Sequence, residues 1–359
     1  MHKIDPKFIN RLLAATEPAQ LHEFLQKAVE LEHSTIPPYL AAMFSLKPGC
    51  NREIGGILHG IVMQEMLHMT IAANILIAIG GHPKINTPEF IPKYPGPLPM
   101  GIGDGLIVGI EAFSLELVST TFMSIEEPEH PIPIQKLKMQ QDYRTIGQFY
   151  QAIKDKLIEL QDALTFGNRE RQVLNYFPDD ELFAIDSLDS ALDGIDIIVR
   201  QGEGACDTPY QNPNAPERFD DLAHYYKFES IANQRQISPC PDQKGYCFGG
   251  PAIPFDKNGV WEMRPDPKPE DYPPNSQARA LIERFAYSYS SLLNCLHQAF
   301  NGQPEKMDSA IGLMFDLKVL SASLMNPSIL LGFDDKHQPL PPIGLSFVYR
   351  DVQSGMSYD

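Results

Sequence analysis

Basic charge is scarce in this sequence: 29 Lys and Arg stand against 46 Asp and Glu, giving a formal net charge of -17. The Lys and Arg residues are not clustered, so the positive patch that nucleic acid or an anionic membrane needs is missing and neither is expected as a partner. Cysteine is also sparse. Cys50, Cys206, Cys240, Cys247 and Cys295 form no CxxC pair, which argues against a thiolate zinc site and for reduced thiols. Cys240 and Cys247 flank "PDQKGY" and could bridge if oxidised. An uninterrupted bilayer-length apolar run is missing too, since the apolar stretch from Ile54 to Ile79 carries Glu65, His68 and Asn74. The first residues, "MHKIDPKFINRLLAATEP", break their apolar positions with Asp5, Lys7 and Arg11 and do not read as a secretory signal, so a cytoplasmic location is expected. The most apolar window, Met66 to Gly81, contains His68 and Asn74; it is shorter than the roughly 20 residues of a bilayer span and reads as a buried helix. No HExxH, GxSxG or P-loop occurs. "GIGDG" at 101–105 lies in a proline-rich loop, not between a strand and a helix as a dinucleotide fingerprint requires.

What the chain does have is apolar periodicity. Of its 359 residues, 43% are hydrophobic, enough for a substantial core. Thr16 reads as the cap of a first helix with Pro18 in its first turn, running to "KPG" at 47–49. Asn51 reads as the cap of a second helix ending at Gly80 and Gly81, and the short turn between them makes the two antiparallel neighbours. Prolines and glycines from His82 to Gly109 exclude regular helix and predict a long surface excursion. Further helices are expected over 114–125, 143–164, 188–203, 217–232, 276–300 and 304–325. A proline-dense stretch at 238–275 divides the chain into a helical bundle (1–237), a connection (238–275) and a carboxy-terminal helical pair with an extended tail (276–359), expected to pack on the bundle.

The bundle helices carry acids where a core is expected. Glu-x-x-His occurs three times, at Glu30 and His33, Glu65 and His68, and Glu127 and His130; its position on the helix separates the three. At 100° per residue, Glu32 falls in the middle of the apolar stripe of the first helix, whereas Glu30 and His33 fall toward a flank read as solvated. On the second helix Glu65 is central and His68 lies at the margin of the apolar face. Counted from the turn at Gly49, Glu32 and Glu65 both lie about 25 Å away at roughly 1.5 Å rise per residue, so they should face each other. One turn on, Pro37 and Pro38 deprive the carbonyls of His33 and Ser34 of helical partners, and a bend is expected. The adjacent acids Glu126 and Glu127 read as solvated loop charges.

Unpaired buried carboxylates cost several kcal/mol each, so these positions imply a compensating cation. A second pair of helices offers Glu203 in "QGEG" and His224, with Asp221 three residues before it as a shortened echo of Glu65 and His68. Four-helix bundles with a carboxylate-bridged metal pair use a Glu from each of two helices and Glu-x-x-His from each of the others. Glu32, Glu65 with His68, Glu203, and Asp221 with His224 approximate that set. The competing reading is a buried ion-pair network with protonated His68 and His224. The expected chemistry is that of a non-haem metal oxidoreductase, one or two ions per chain, with iron favoured and zinc or manganese compatible. Tyr39, Phe149, Tyr225, Tyr226 and the "YPGPLP" loop are candidates for an aromatic substrate pocket. A non-catalytic metal-storage protein and a zinc hydrolase using His68 and His224 are the alternatives, and a homo-oligomer is compatible with the sequence.

In order along the chain, "ELEHSTIPPYL", "QEMLHM", "AANILIAIGGHP", "YPGPLP", "IGQFY", "RQGEG" and "HYYKFE" resemble the ferritin-like family that includes iminophenyl-pyruvate dimer synthase domains of the violacein and rebeccamycin-type pathways. The resemblance covers about residues 19–235, and "IGLSFVYR" extends it toward the carboxy terminus. It implies an all-α, ferritin-like four-helix bundle with metal ligands Glu32, Glu65, His68, Glu203 and His224. It also implies a small-molecule substrate and oxidative coupling of two imines derived from aromatic amino acids. Asp221 departs from the di-iron pattern, since Asp reaches one methylene less than Glu, and a single-metal site would follow from its loss.

Overall fold

The computed structural model describes residues 6–101, 105–128, 146–204, 208–212, 218–241, 244–325 and 343–351. Helix α1 (Pro6–Leu13) leads into α2 (Pro18–Phe44), whose capping box is Glu17 with Gln20, one residue later than Thr16. Gln20 still uses Thr16, because its Oε1 accepts from both the Thr16 and Glu17 amides. Helix α3 (Arg52–Ala78) follows and packs along α2. Asn51 precedes it in a left-handed conformation, and its side chain does not cap the helix. Instead it accepts from the Asp256 amide at 2.8 Å and donates to the carbonyls of Asp256 and Gly259. With Lys47 N bonded to Gly259 O and Trp261 N to Ser45 O, this stitches the proline-rich connection onto the α2–α3 turn.

Every residue of α2 from Leu31 to Ala42 is buried, which a one-sided amphipathic stripe does not anticipate. The reason is the carboxy-terminal pair, α8 (Gln277–Ala299) and α9 (Lys306–Leu324), which covers the side of α2 left free by the bundle. Side chains of that pair, Phe285 and Leu293 among them, join the same contiguous apolar core as α2 and α3. His33, expected on a solvated flank, is consequently 3% exposed, and its Nε2 lies 2.7 Å from the Tyr289 hydroxyl of α8. Burial lowers its pKa to about 3, so the imidazole is neutral.

Pro37 and Pro38 lie inside α2 and the helix continues through them. Pro38 has no N–H for the Ser34 carbonyl, and the excursion of residues 82–109 supplies the missing donor: the Tyr94 hydroxyl of "YPGPLP" bonds Ser34 O at 2.7 Å. The remaining bundle helices are α4 (Leu115–Ile125), α5 (Ile146–Glu159), α6 (Leu188–Glu203) and α7 (His224–Ala232). Helix α4 contains a π-helical turn at Val118–Phe122, a widening of the helix that often marks a functional site. Residues 143–145, 217 and His130, part of the expected helices and of the third Glu-x-x-His match, lie outside the described residues.

Helix α3 is long and apolar enough to cross a membrane, yet 83% of its most apolar window is buried against the rest of the chain, so here it serves as the core helix. A two-stranded antiparallel pair, β1 (Ser238–Pro239) and β2 (Tyr246–Cys247), sits in the proline-rich connection. It brings the thiols of Cys240 and Cys247 within hydrogen-bonding reach, with no disulfide between them.

Candidate metal centre

The turn-based height estimate for α2 and α3 sets Glu32 opposite Glu65, and the structure places them so. Thr35 donates to Glu65 Oε2 at 3.0 Å across the two helices, and His68 Nδ1 is 3.5 Å from Glu32 Oε2. Two adjoining triads result, Glu32 with Glu65 and His68, and Glu65 with Glu126 and His224. Within each triad one ligand atom per residue lies within 4.8 Å of the others, and all five residues are buried. Glu65 belongs to both.

Glu126 corrects the sequence reading of a solvated charge. It is 7% exposed and caps the carboxy-terminal end of α4, one turn after the π turn, with its carboxylate 3.6 Å from His224 Nδ1. Tyr39, a pocket candidate, donates its hydroxyl to Glu126 Oε1 at 2.5 Å. Tyr150 of α5, which the sequence did not single out, donates to Glu32 Oε1. Thus two phenols bond the two carboxylates that flank Glu65. Burial and the neighbouring acids push both phenols well above their usual range, so they remain donors.

Hydrogen bookkeeping at the two histidines follows one logic. Gln64 Oε1 accepts from Lys227 Nζ at 3.0 Å, and Lys can only donate, so the amide oxygen is the atom that faces His224 Nε2 at 3.1 Å. Nε2 must therefore carry the hydrogen, which leaves Nδ1 bare. Gln201 does the same for His68: its Nε2 faces the Glu181 carboxylate at 3.4 Å, and its Oε1 faces His68 Nε2 at 2.9 Å. Each imidazole thus presents Nδ1 to the carboxylates, with an outer partner fixing the tautomer as metal-ligating histidines require.

While Glu65 is ionised, these side chains alone leave one contact unsatisfied. His224 Nδ1 is fully buried, makes no hydrogen bond among the described residues, and lies 2.8 Å from Glu65 Oε1. A bare nitrogen against a carboxylate oxygen is acceptor against acceptor. Burial lowers the His224 pKa, against the pull of Glu126, so a ring proton does not resolve the contact. Burial, and next Glu126, raise Glu65 well above the usual carboxylate range. A proton on Glu65 would satisfy the His224 contact; a cation between the carboxylates and the two Nδ1 atoms satisfies it too and also offsets the gathered acids, and the set of carboxylate oxygens and imidazole nitrogens fits a divalent ion of the first transition row.

The other expected residues fall elsewhere. Glu203, at the last position of α6, borders the same cavity, but its Oε1 accepts the Gly147 amide at the start of α5 at 2.7 Å, and it belongs to neither triad. Asp221 sits in a short 3-10 turn (Phe219–Asp221), ahead of the first residue of α7, and is not part of either triad. The three-residue spacing to His224 therefore never becomes a helical spacing, and the carboxylate of Asp221 acts instead on Lys227. Phe149 packs in the core with Phe8 and Tyr150, and Tyr226 packs in a separate cluster with Tyr210 and Leu222, with Tyr225 against it. Beside the triads lies a cavity of about 30 Å³, lined by Glu32, Glu65, His68, Glu126 and Glu203. That is room for a diatomic molecule or a water or two.

A family model described as ferritin-like matches residues 25–233. Among curated proteins, the chain is 27% identical to the 2-imino-3-(indol-3-yl)propanoate dimerase of Chromobacterium violaceum, over 88% of this chain and 33% of that protein. It is 25% identical to the dichlorochromopyrrolate synthase of Lentzea aerocolonigenes, over 73% of this chain and 27% of that protein. The chain thus spans about a third of the length of these relatives or less. A crystal structure of a ferritin-like protein from Caulobacter vibrioides shares the fold, with a TM-score of 0.55 and 23% identity, over 84% of this chain and 95% of that one.

Proposed function

Since the chain belongs to the ferritin-like family, we propose that it is a metal-dependent oxidoreductase acting on small aromatic molecules, with the oxidative coupling of two aromatic imino acids as its reaction. The observation that carries this reading is the bare His224 Nδ1 held against Glu65 by Lys227 and Gln64, because a bare nitrogen beside a carboxylate suits a ligand set better than an ion pair with a protonated His224. Glu32, Glu65, Glu126, His68 and His224 would hold the metal, with iron favoured by the oxygen-rich donors and manganese next. When bound, iron supplies one-electron chemistry and the means to use dioxygen.

The protein's own part is to bind, orient and exclude. Gln64 and Gln201 fix the two imidazoles, and Thr35, Tyr39 and Tyr150 fix the carboxylates by hydrogen bonds from outside the donor set. The apolar walls from Leu31, Ile125, Ile146 and Ile198 keep bulk water out of the small cavity. Joining two imino acids through one new carbon–carbon bond releases two protons and two electrons, so an oxidant must be consumed, and the cavity beside the triads has the size of dioxygen. Support for an imine substrate comes from the relatives, whose names state a 2-imino-3-(indol-3-yl)propanoate dimerase and a dichlorochromopyrrolate synthase.

The test is to load the full chain with Fe(II) without oxygen and mix it with an aromatic amino acid and an amino-acid oxidase, which forms the imino acid once oxygen is present. Air is then admitted. Coupled dimer by mass spectrometry, lost in Glu65→Ala, is the expected result; absence of bound metal after loading, or dimer formation equal to that of Glu65→Ala, overturns the reading.

A further inference from the structure

A second cavity lies on the other side of the α2–α3 hairpin from the metal ligands, and the two share no lining residue. Their walls alternate along the same helices: Glu32 then His33, Thr35 then Ile36, Glu65 then Met66, His68 then Met69. This cavity has a volume of about 410 Å³ and is closed by α8 and α9, within the range of small-molecule sites and more than ten times the volume beside the triads. Six of the chain's 13 methionines line it: Met43, Met63, Met66, Met69, Met307 and Met314. Flexible, polarizable thioethers make walls that adapt to an occupant. The lining is otherwise mostly apolar, and at its rim Met63 and Phe315 are 38% and 66% exposed, which gives an apolar entrance.

One polar group of the lining is buried and unmatched. His33 Nδ1 has no hydrogen-bond partner among the described residues, while Nε2 is 2.7 Å from the Tyr289 hydroxyl. That hydroxyl has no other acceptor among the described residues, so the phenol donates to Nε2 and the neutral imidazole carries its hydrogen on Nδ1. A buried N–H in an apolar wall is a donor that lacks its acceptor.

We propose that this cavity is a binding site for an uncharged, mainly hydrocarbon small molecule bearing one hydrogen-bond acceptor, whose carbonyl or ether oxygen takes the His33 Nδ1 hydrogen while its apolar body fills the methionine-lined space. The occupant is separate from whatever reacts at the metal centre, and the proposal does not rest on the reading given for that centre. A fused-ring ketone and a long-chain ketone share this chemistry.

The probe is prodan, a neutral naphthyl ketone whose emission reports both polarity and hydrogen bonding, titrated into the full chain in chelator. Saturable binding of one probe per chain is expected, with emission shifted to the blue of its value in water. His33→Leu should weaken it about tenfold, the effect of one lost hydrogen bond in a dry site. Leu296→Trp, which fills the space from α8, should abolish it. Should Leu296→Trp fail to fold, judged by its circular-dichroism melt, Met314→Trp on α9 serves the same purpose. Competition by 2-tridecanone but not 2-acetylnaphthalene, or the reverse, supports the site and identifies the acyl or the aromatic source. Absence of saturable binding, binding unchanged in folded Leu296→Trp or Met314→Trp, or failure of both ketones to compete overturns the proposal.

Discussion

Glu126→Gln is a change whose sign separates a metal centre from an ion-pair network. The substitution keeps shape, and the Gln oxygen can still accept from Tyr39, but it removes one of the three buried carboxylate charges. Glu65 and Glu126 have ligand atoms within 4.8 Å of each other. At 4.8 Å and an effective dielectric of about 20, two full charges repel by about 3.5 kcal/mol, and partial protonation of Glu65 relieves part of it. Unfolding entropy of about 2.1 cal/mol/K per residue gives about 0.75 kcal/mol/K for 359 residues. The metal-free variant should therefore melt higher than the parent, by up to about 5 °C. Metal shows the opposite sign. At a free concentration of 100 Kd a ligand adds about 2.7 kcal/mol, here about 3.5 °C, and a 100-fold loss of affinity cuts this to about 0.4 kcal/mol, under 1 °C. Calorimetry in chelator and in Mn(II), for parent and variant, reads all four melting points. If His68 and His224 were cations paired with these acids, Glu126→Gln would leave a buried cation short of a partner and lower the metal-free melting point. A lowered metal-free value together with an intact Mn(II) increment refutes the assignment.

Lys227→Met frees the Gln64 amide to turn its N–H groups toward His224 Nε2, so metal affinity should fall about 10- to 100-fold with little change in the metal-free melt, as isothermal titration would show. Tyr94→Phe strips the donor from the Ser34 carbonyl and should cost about 1–2 kcal/mol in urea unfolding. Glu229, whose Oε2 is buried without a hydrogen-bond partner among the described residues, has its pKa raised by burial to about 7 from the model-compound 4.5. The folded state then binds more protons than the unfolded one, so stability is lost as pH rises from about 4.5 through 7. Full loss corresponds to about 3 kcal/mol before discounting for the exposed part of the group. Glu229→Gln should accordingly raise stability at pH 8 and change it little at pH 4, and equal effects at both values would contradict this.

The α2–α3 half of the centre was legible because helical spacing is local information: the facing of Glu32 and Glu65, and the place of His68 at the edge of the apolar face, follow from 100° and 1.5 Å per residue. What was illegible depended on partners distant in the chain. His33 looked solvated because the cover from α8 lies more than 240 residues away. Glu126 looked like a loop charge because neither its π turn nor its approach to His224 leaves a periodic mark. Asp221 looked like a helical residue because a three-residue spacing carries no sign that the helix begins only at His224. Gln64 stood in plain view beside Glu65, but its role depends on Lys227, and the pairing of a neutral amide with a lysine has no signature in sequence.

The bond from Tyr94 to Ser34 has a kinetic consequence. A helix normally completes its own hydrogen bonding within a few residues and can form early, on a submicrosecond scale. Helix α2 cannot: the carbonyl released by Pro38 waits for a donor 60 positions further along. The segment holding Glu32 and the prolines is therefore completed only after α3 has formed and the excursion has folded back across the hairpin. Local assembly and long-range closure become one event, and the loop must pay its closure entropy before the helix at the metal centre is whole. In a hydrogen-exchange experiment the amides around Ser34 and those around Tyr94 should open together, as one cooperative unit.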